Sequence, residues 1–350
     1  MREYLNSLVP LFKDKRIPVF GLFELTPLCN FNCNMCYIHL SNEQLQKQGK
    51  LLTAEQWIEI GRQAKENGAL FLELTGGEIF TRADFRYIYE NLYDMGLLLL
   101  LRSNGYLINE KAIEWLKKRP PYLLCITLYG GSDSTCQEIS GIKDGFTVVS
   151  ENLKKIREAQ IAVQLSMTLT KDNIHDYFLV RSWAEKNDIP FTGGYSALIS
   201  PFSNTGRAVE DKRIYDSRAA EFKGFEECDD IDAGVILGHE YQESPFARCS
   251  KFGAKFSVSW DGKLMLCNIL RSIGEDLQIL TFKEAYKSLY RKLDQLKRPE
   301  KCRECKYDPF CQNCPASLFA ESGDPETINE GICERAKIKW YTYYTKKSGK

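Results

Sequence analysis

The sequence predicts an α/β fold in which parallel strands alternate with crossover helices, as in αβ barrels, followed by a smaller loop-rich region. Two observations support this prediction. Between residues 20 and 200, short apolar runs alternate with stretches whose apolar residues recur at helical spacing. Beyond about residue 208 this alternation stops, and cysteines become frequent. Because strands separated by helices pair in parallel, helices should cover the sheet.

Six segments have the length and apolar content of buried strands. They are Gly21–Thr26, Phe71–Gly76, Leu97–Ser103, Leu123–Tyr129, Val163–Leu169 and Phe191–Leu198. The helical stretches between them are Ala54–Asn67, Arg82–Asp94, Asn109–Lys118, Phe146–Glu158 and His175–Lys186. A polar helix is expected over Lys212–Glu227. Residues 256–267 predict a β-hairpin that turns at Asp261 and Gly262, since Asp-Gly pairs favour tight hairpin turns.

The bulk composition argues against several classes of function. The 350 residues carry 47 Lys plus Arg and 47 Asp plus Glu. This balance predicts no basic surface that would bind nucleic acid or an anionic membrane. No apolar run is long enough to span a membrane, and the N-terminus does not resemble a secretory signal. We therefore expect a cytoplasmic protein whose 13 cysteines are metal ligands or free thiols rather than disulfides.

Three cysteines lie within eight residues directly after the first predicted strand: Cys29, Cys33 and Cys36. They offer three thiolates to one inorganic site, whereas tetrahedral zinc or a complete 4Fe–4S cluster takes four ligands. A three-ligand site leaves a metal open for chemistry on a bound molecule. Other strands end in small polar residues, at the end where parallel αβ barrels bind ligands. A structural zinc loop that lacks its fourth ligand is the alternative.

The Cys-x3-Cys-x2-Cys spacing, the aromatic residue that follows it and its place after the first strand resemble the radical S-adenosylmethionine (SAM) superfamily. The resemblance implies a partial (β/α)6 barrel of the TIM type. It also implies a 4Fe–4S cluster on Cys29, Cys33 and Cys36, whose fourth iron chelates SAM. In that family one electron cleaves SAM to methionine and a 5′-deoxyadenosyl radical, which takes a hydrogen atom from the substrate.

Further motifs resemble the SAM-binding elements of the family. Residues 74–78 resemble its Gly-Gly-Glu element, residues 103–105 its Thr-Asn-Gly, and residues 126–130 its Ile-Ser-Leu-Asp-Gly. The departures are Ile79 for proline, Tyr129 for aspartate and Ser140-Gly141 for Arg-Gly. The cofactor contacts that the resemblance implies are Met35, Gly76, Gly77, Glu78, Ser103, Asn104 and Thr127. The alternative for each of these residues singly is an ordinary strand end.

Seven cysteines after residue 245 resemble the SPASM extension, which binds two auxiliary 4Fe–4S clusters in peptide-modifying radical SAM enzymes. The resemblance implies one cluster on Cys302, Cys305, Cys311 and Cys333 and another on Cys249, Cys267 and Cys314. Two complete clusters need eight thiolates. An open iron, a ligand other than cysteine, or Cys228 would complete the set. A zinc ribbon is the alternative for Cys302–Cys314, because two Cys-x2-Cys pairs suit zinc.

These patterns divide the chain into four parts. Residues 1–16 form an N-terminal extension, 17–210 the radical SAM core, 211–245 a helical linker and 246–350 the SPASM auxiliary-cluster domain. Only about twenty residues precede the first strand, which is too few for a domain of ordinary size. We therefore expect no fused leader-peptide recognition domain.

The leading functional hypothesis is an enzyme that oxidatively modifies or cross-links a ribosomally made peptide. Expected partners are that peptide, a separate leader-recognition protein and an electron donor such as flavodoxin or ferredoxin, with no nucleic acid and no membrane. Sulfatase-maturing SPASM enzymes carry an aspartate where this chain has Asn268, which argues against that activity. No catalytic acid or base is predicted.

Three alternatives stay open at this stage. The first is oxidation or decarboxylation of a small molecule such as a tetrapyrrole precursor. The second is peptide epimerisation with Cys136 or Cys228 as the hydrogen donor, although most lone cysteines are small buried hydrophobes. The third is a binding protein that carries clusters or zinc and has no catalytic activity.

Overall fold

The structure is a computed structural model that describes residues 9–194, 209–214, 243–247, 249, 252–311, 314–324, 326–328 and 330–348. One nine-stranded sheet runs through it, in the order β6-β5-β4-β3-β2-β1-β7-β8-β9. The first six strands are β1 Phe20–Glu24, β2 Phe71–Thr75, β3 Leu98–Ser103, β4 Leu123–Thr127, β5 Val163–Thr168 and β6 Phe191–Gly194. Each of these strands pairs in parallel with the next one along the chain. The prediction of a parallel α/β sheet is therefore confirmed.

Seven helices lie between the first six strands or beside them. They are α1 Asn42–Gln48, α2 Ala54–Glu66, α3 Phe85–Asp94, α4 Glu110–Lys118, α5 Asp133–Ser140, α6 Gly145–Glu158 and α7 Tyr177–Lys186. All five helices expected from spacing are present, with ends that differ by a few residues. The two that spacing missed, α1 and α5, are short and follow the strand-end loops. Helix α1 has no buried residue, so it carries no apolar stripe that a sequence pattern could reveal.

Local signals explain where the helices begin. In α2, the Thr53 hydroxyl accepts a hydrogen bond from the Gln56 N–H while the Gln56 side chain returns to the Thr53 N–H, which satisfies two otherwise unpaired donors. The buried face of α2 carries Trp57, Ile60 and Ala64 at helical spacing. Burial of this face against the sheet supplies most of the stability of such a helix.

The C-terminal region adds strands to the same sheet. Strand β7 (Lys255–Val258) pairs in parallel with β1, and β8 (Lys263–Met265) and β9 (Gly274–Asp276) follow in antiparallel order. The hairpin predicted over residues 256–267 is therefore present. Its attachment to β1 was not predicted, and it makes the sheet continuous across the expected boundary between core and C-terminal domain.

Three further helices complete the C-terminal region. They are α8 Phe282–Leu293, α9 Pro315–Ser322 and α10 Glu330–Ser348. Helix α8 packs one apolar face onto the sheet, including Phe282, Tyr286 and Leu289. The polar helix predicted over Lys212–Glu227 lies mostly outside the described residues, as does the end of the predicted strand Phe191–Leu198. Among the described helices, none combines the length and the apolarity needed to cross a bilayer.

A buried ion pair joins the barrel to the C-terminal region. The Glu24 carboxylate at the end of β1 is fully buried, and Arg271 Nη2 lies 2.8 Å and 2.5 Å from its two oxygens. Burial acts to lower the pKa of Arg271, but the neighbouring Glu24 carboxylate holds that pKa above its ordinary value. The residues between Cys267 and β9 are thereby fixed against the C-terminal end of β1.

We predict that Arg271→Met lowers the free energy of unfolding by about 3–5 kcal/mol, because it leaves the Glu24 carboxylate buried without a counter-charge. Urea unfolding under anaerobic conditions measures this loss. The double variant Glu24→Gln with Arg271→Met should recover much of it. Arg86→Met, which breaks an exposed pair with Glu90, is the control and should change little. A single Arg271→Met variant as stable as the wild type would contradict the prediction.

Candidate active site

A cavity of about 360 Å³ opens at the C-terminal ends of the parallel strands, a size typical of small-molecule sites. All three clustered cysteines line it, together with residues from the ends of β2, β3, β4 and β5 and from the loop after β8. The lining residues used below are Cys29, Cys33, Met35, Cys36, Tyr37, Gly76, Gly77, Arg102, Ser103, Asn104, Thr127, Tyr129 and Asn268. The cavity lies at the end of the sheet that the sequence predicted, and nine of the predicted metal and cofactor contacts line it.

Backbone hydrogen bonds hold the cysteine loop, residues 27–40, in place. The N–H of Asn32 donates to the Ser140 carbonyl at 3.0 Å, and that of Asn34 donates to the Ile139 carbonyl at 2.9 Å. These two carbonyls belong to the last turn of α5, where they have no partner within the helix. Ser140 stands where the resemblance in sequence predicts an arginine. Its main-chain carbonyl therefore helps to anchor the cysteine loop.

The three thiols lie close enough to influence one another. Burial, reinforced by Glu78 and the Cys36 sulfur, raises the pKa of Cys29 to about 12, and burial beside Cys36 and Cys29 raises that of Cys33. Two sulfurs accept backbone hydrogen bonds, Cys29 Sγ from the Phe31 N–H at 3.3 Å and Cys36 Sγ from the His39 N–H at 3.4 Å. These thiols need a bound cation to become thiolates.

The geometry bears on which cation fits. A cluster takes one thiolate on each of several irons, so its ligands are spread around it instead of meeting at one atom. Three sulfurs around one cavity, two of them with N–H donors, fit a cluster.

Gly76 and Gly77 are required by the backbone of the cysteine loop. A Cβ on Gly76 would lie 2.3 Å from the Thr26 carbonyl oxygen, and one on Gly77 would lie 2.2 Å from that of Leu28. Gly76 also has a φ of +147°, which side chains disfavour. The Gly77 N–H donates to the Thr26 carbonyl at 2.6 Å. We expected the glycines to admit a ligand, and they also admit the start of the loop that carries the cysteines.

Glu78 lies behind the cavity wall and does not line it. Its carboxylate is fully buried and accepts hydrogen bonds from Ser103 Oγ at 2.9 Å, from the Asn104 N–H at 2.7 Å and from the Phe80 N–H at 3.0 Å. Burial raises the pKa of Glu78 to about 7, although these donors act to lower it. In this structure Glu78 positions Ser103 and Asn104, and it makes no contact with the cavity.

The other expected cofactor contacts do line the cavity. Asn104 Nδ2 lies 3.7 Å from Cys29 Sγ and donates to Asn30 Oδ1 at 2.8 Å, so it links the end of β3 to the cysteine loop. The Thr127 hydroxyl pairs with that of Ser166 at 3.1 Å across β4 and β5. Met35 packs beneath the cysteines in a buried cluster with Phe31 and Cys33.

Of the two proposed hydrogen donors, Cys136 does not line the cavity. Cys136 lies on the buried face of α5, with its sulfur 3.7 Å from the Gly130 carbonyl oxygen, and it is not a lining residue. Burial raises its pKa to about 12. The helical spacing of α5 turns Cys136 toward the core. Because the sequence analysis did not predict α5, it could not predict this orientation. Cys228 lies outside the described residues.

The C-terminal cysteines fall into two neighbourhoods. The pKa of Lys255 links three of them. Burial lowers the pKa of this ammonium, but the sulfurs of Cys249, Cys267 and Cys314 raise that pKa overall. Cys305 and Cys333 both lie near enough to Cys302 to reinforce the rise in its pKa caused by burial. Cys311 follows in the same turn region, with its N–H bonded to the Asp308 carbonyl. One neighbourhood thus holds Cys249, Cys267 and Cys314, and the other holds Cys302, Cys305 and Cys333.

Sequence reasoning gave no role to Glu24, Tyr37 or Arg102, and it considered Asn268 only as a departure from sulfatase-maturing enzymes. The Tyr37 hydroxyl donates to Glu24 at 3.3 Å, and Asn268 Nδ2 donates to that hydroxyl at 2.5 Å. Arg102 pairs with Glu73 on the neighbouring strand and is the one lining residue with a permanent positive charge among those described. Glu24 and Arg102 had one visible signal, a charge inside an otherwise apolar predicted strand.

We predict that the free energy of unfolding of the apoprotein depends on pH through the titration of Glu78. Because its pKa is about 7 in the folded protein against 4.5 ordinarily, its stabilising contribution is complete below about pH 4.5 and is lost as the pH rises through 7. Between pH 5.5 and 8, the wild type should lose about 2 kcal/mol relative to Glu78→Gln. Urea unfolding at both pH values measures the difference. Parallel pH profiles for the two proteins would contradict it.

Comparison with known proteins gives relatives that span most of the chain. The AdoMet-dependent heme synthase of Methanosarcina barkeri is 24% identical over 330 residues, which cover 86% of this chain and 92% of that protein. The subtilosin biosynthesis protein AlbA of Bacillus subtilis is 23% identical and covers 92% of this chain and 72% of its own length. The sporulation killing factor maturation protein SkfB of the same species is 24% identical over 73% of this chain and 62% of that protein.

Solved structures share the fold. Streptococcus suis SuiB bound to its precursor peptide SuiA superimposes with a TM-score of 0.70 at 17% identity, covering 95% of this chain and 79% of SuiB. Native anSMEcpe with bound AdoMet gives 0.64 at 16% identity, covering 94% of this chain and 98% of that one. Residues 23–180, which contain the cysteine loop and strands β2 to β5, match the Radical SAM superfamily. This region of the chain is therefore similar to the radical SAM superfamily.

Proposed function

We propose that this enzyme cleaves SAM reductively and uses the 5′-deoxyadenosyl radical to take a hydrogen atom from a ribosomally made peptide, which is thereby oxidatively modified or cross-linked. The observation that carries the proposal is the shared cavity, in which three cysteines of one loop face the polar ends of four parallel strands. Each feature is ordinary alone, and their convergence on one cavity supports a site for a cluster and SAM together.

The match of residues 23–180 to the radical SAM superfamily implies SAM and a 4Fe–4S cluster, and the residues present fit both. Cys29, Cys33 and Cys36 would hold the cluster, which leaves one iron for SAM. When bound, the pair supplies the one-electron cleavage that generates the radical. The chain's own part is to place Ser103, Asn104 and Thr127 along the wall and to exclude water with Phe31, Met35 and Tyr129. A dry wall protects a radical from side reactions.

The peptide class of substrate has two supports. SkfB is named for the maturation of a sporulation killing factor and AlbA for the biosynthesis of the bacteriocin subtilosin, and SuiB is solved with its precursor peptide bound. Within this chain, the inner face of β4–β6 is polar: Thr127 pairs with Ser166, and Gln164 donates to Thr192 at 2.6 Å. Neutral hydrogen-bonding groups of this kind suit a peptide backbone, which carries donors and acceptors but no charge.

The two C-terminal cysteine neighbourhoods are proposed to hold two auxiliary 4Fe–4S clusters. Cys302, Cys305, Cys311 and Cys333 supply a full set of four thiolates for one of them. Cys249, Cys267 and Cys314 supply three for the other, beside the Lys255 ammonium. That cation offsets part of the negative charge that thiolate ligands bring to a site of low dielectric.

A second candidate function is decarboxylation or oxidation of a tetrapyrrole precursor. Its specific support is Arg102, whose guanidinium lines the cavity and could pair with a propionate carboxylate. The heme synthase of Methanosarcina barkeri is similar over most of both chains. Tight binding of a propionate-bearing porphyrin precursor would favour this candidate. Epimerisation now depends on Cys228, because Cys136 does not reach the cavity.

The proposed partners follow from the chemistry. A radical SAM reaction consumes an electron, so the enzyme needs a donor such as flavodoxin or ferredoxin. A separate leader-recognition protein is proposed to present the peptide. The twelve cysteines in the described part of the chain are free thiols, which suits the reducing cytoplasm where such donors are found.

We predict that coexpression with short peptides encoded beside the gene changes the mass of one of them, and that purified enzyme releases 5′-deoxyadenosine from SAM under dithionite. Mass spectrometry measures both products. A variant with Cys29, Cys33 and Cys36 all replaced by Ala should give neither, because no cluster can then form. Cys136→Ala is the matched control and should retain both. SAM cleavage that persists in the triple variant would refute the mechanism.

We predict that anaerobically reconstituted enzyme contains about eleven to twelve iron atoms, as three clusters require. Cys302→Ala should lower this number by up to about four, since one auxiliary cluster loses a ligand. Iron and sulfide analysis, with zinc measured on the same sample, gives the result. Unchanged iron in Cys302→Ala would contradict the assignment. Zinc in place of that iron would indicate a zinc ribbon.

A further inference from the structure

A second concave surface lies away from the active-site cavity. It has a volume of about 380 Å³ and lies between α8, the end of α2 and the segment before β1. We call it the α8 groove. It is lined by Arg16, Pro18, Asn67, Phe282, Lys283, Tyr286, Lys287, Tyr290, Arg291 and Asp294. Pro18 and Asn67 place it near the N-terminal end of β1 and the C-terminal end of α2. It is therefore separate from the active-site cavity, which lies at the C-terminal ends of the strands.

The α8 groove concentrates positive charge in a chain that is neutral overall. Lys283, Lys287 and Arg291 recur every four residues, which brings them onto one stripe of α8, and all three are exposed. Lys292 beside them pairs with Glu275 at 2.7 Å. Among the described residues, none of the three stripe residues makes a salt bridge within 4.0 Å, although the charge of Arg291 acts on Glu275 and its Nε donates to the Lys287 carbonyl at 3.4 Å. Unpaired cations of this kind attract an acidic protein surface at long range.

Aromatic residues form the floor of the groove. The Arg16 guanidinium lies 4.8 Å from the centre of the Phe252 ring and 4.6 Å from that of Tyr290, and it pairs with Asp294 at 2.7 Å. Tyr286 and Tyr290 stand 4.7 Å apart between their ring centres. Tyrosine beside arginine is the composition of energetically important protein contacts.

The floor leads directly to one of the cysteine neighbourhoods. The Tyr290 hydroxyl accepts a hydrogen bond from the Gly253 N–H at 3.1 Å and donates to the Lys255 carbonyl at 2.8 Å. The Lys255 ammonium in turn hydrogen-bonds with Cys249 and interacts electrostatically with Cys267 and Cys314. One tyrosine and one strand residue therefore connect the surface of the groove to these three sulfurs.

We propose that the α8 groove is the docking surface for the acidic, one-electron carrier protein that reduces this enzyme. Such a carrier is oxidised when it gives up one electron. SAM cleavage consumes that electron when the carbon–sulfur bond breaks. This proposal rests on the proposed function, because the electron is used in the reductive cleavage of SAM. Charge complementarity and the short connection to Cys249, Cys267 and Cys314 favour an electron carrier over an acidic leader peptide, which has no need of that connection.

The test uses reconstituted enzyme, a purified flavodoxin, and the charge-reversal variant K283E/K287E/R291E. The matched control is K111E/K117E/K118E, which reverses three exposed cations on α4. We expect the α8 variant to raise the Kd for flavodoxin at least about tenfold in biolayer interferometry, and the control to leave it within about twofold. Added salt should weaken wild-type binding and have less effect on the α8 variant.

Two arms of SAM cleavage separate this proposal from the proposed function. With flavodoxin, its reductase and NADPH, the α8 variant should form 5′-deoxyadenosine at least about tenfold more slowly than the wild type. With dithionite, which needs no docking, both should cleave SAM at the same rate. Equal flavodoxin affinity in the two charge variants would overturn the docking surface. Failure of the wild type with dithionite would overturn the SAM chemistry and leave the binding result to decide the groove.

Discussion

The position of the C-terminal region depends on the buried contact between Glu24 and Arg271. Glu24 ends the first strand, and Arg271 lies in the connection between β8 and β9. A carboxylate buried completely would be very costly alone, so it is stable only where the guanidinium reaches it. Tyr37, just after the third cysteine, and Asn268, just after Cys267, join the same contact. One charge therefore aligns the cysteine loop, the barrel and the start of the auxiliary cysteine region.

The parallel pairing of β7 with β1 extends this alignment along the sheet. Phe20 to Phe23 pair with Lys255 to Val258 in a continuous register. A side chain on Gly21 would lie 2.5 Å from the Phe256 ring, so the glycine permits the two strands to pack at this point. The sequence pattern predicted the hairpin that contains β7, because the Asp-Gly turn is a local signal. It could not predict the partner strand, because pairing between residues more than 200 positions apart has no local signature.

The same distinction explains which parts of the site were predictable. Cys29, Gly76 and Asn104 were recognisable because short motifs fix them at strand ends, and the topology of a parallel sheet brings such ends together. The burial of Glu78 was not recognisable, since its motif shows a carboxylate but not the Ser103 and Asn104 donors that enclose it. The placement of Cys136 was not recognisable for a related reason: its direction depends on α5, a helix without a clear sequence period.

Asn268 shows how these constraints determine a residue identity. Its amide donates to the Tyr37 hydroxyl at 2.5 Å, and that hydroxyl donates its own proton to Glu24. A phenol has one proton to give, so a second carboxylate at position 268 would lie against an oxygen with no proton left for it. It would also add a negative charge beside Glu24, with Arg271 alone to balance both. The network therefore favours a neutral donor at this position, which gives a physical reason for asparagine where sulfatase-maturing enzymes have aspartate.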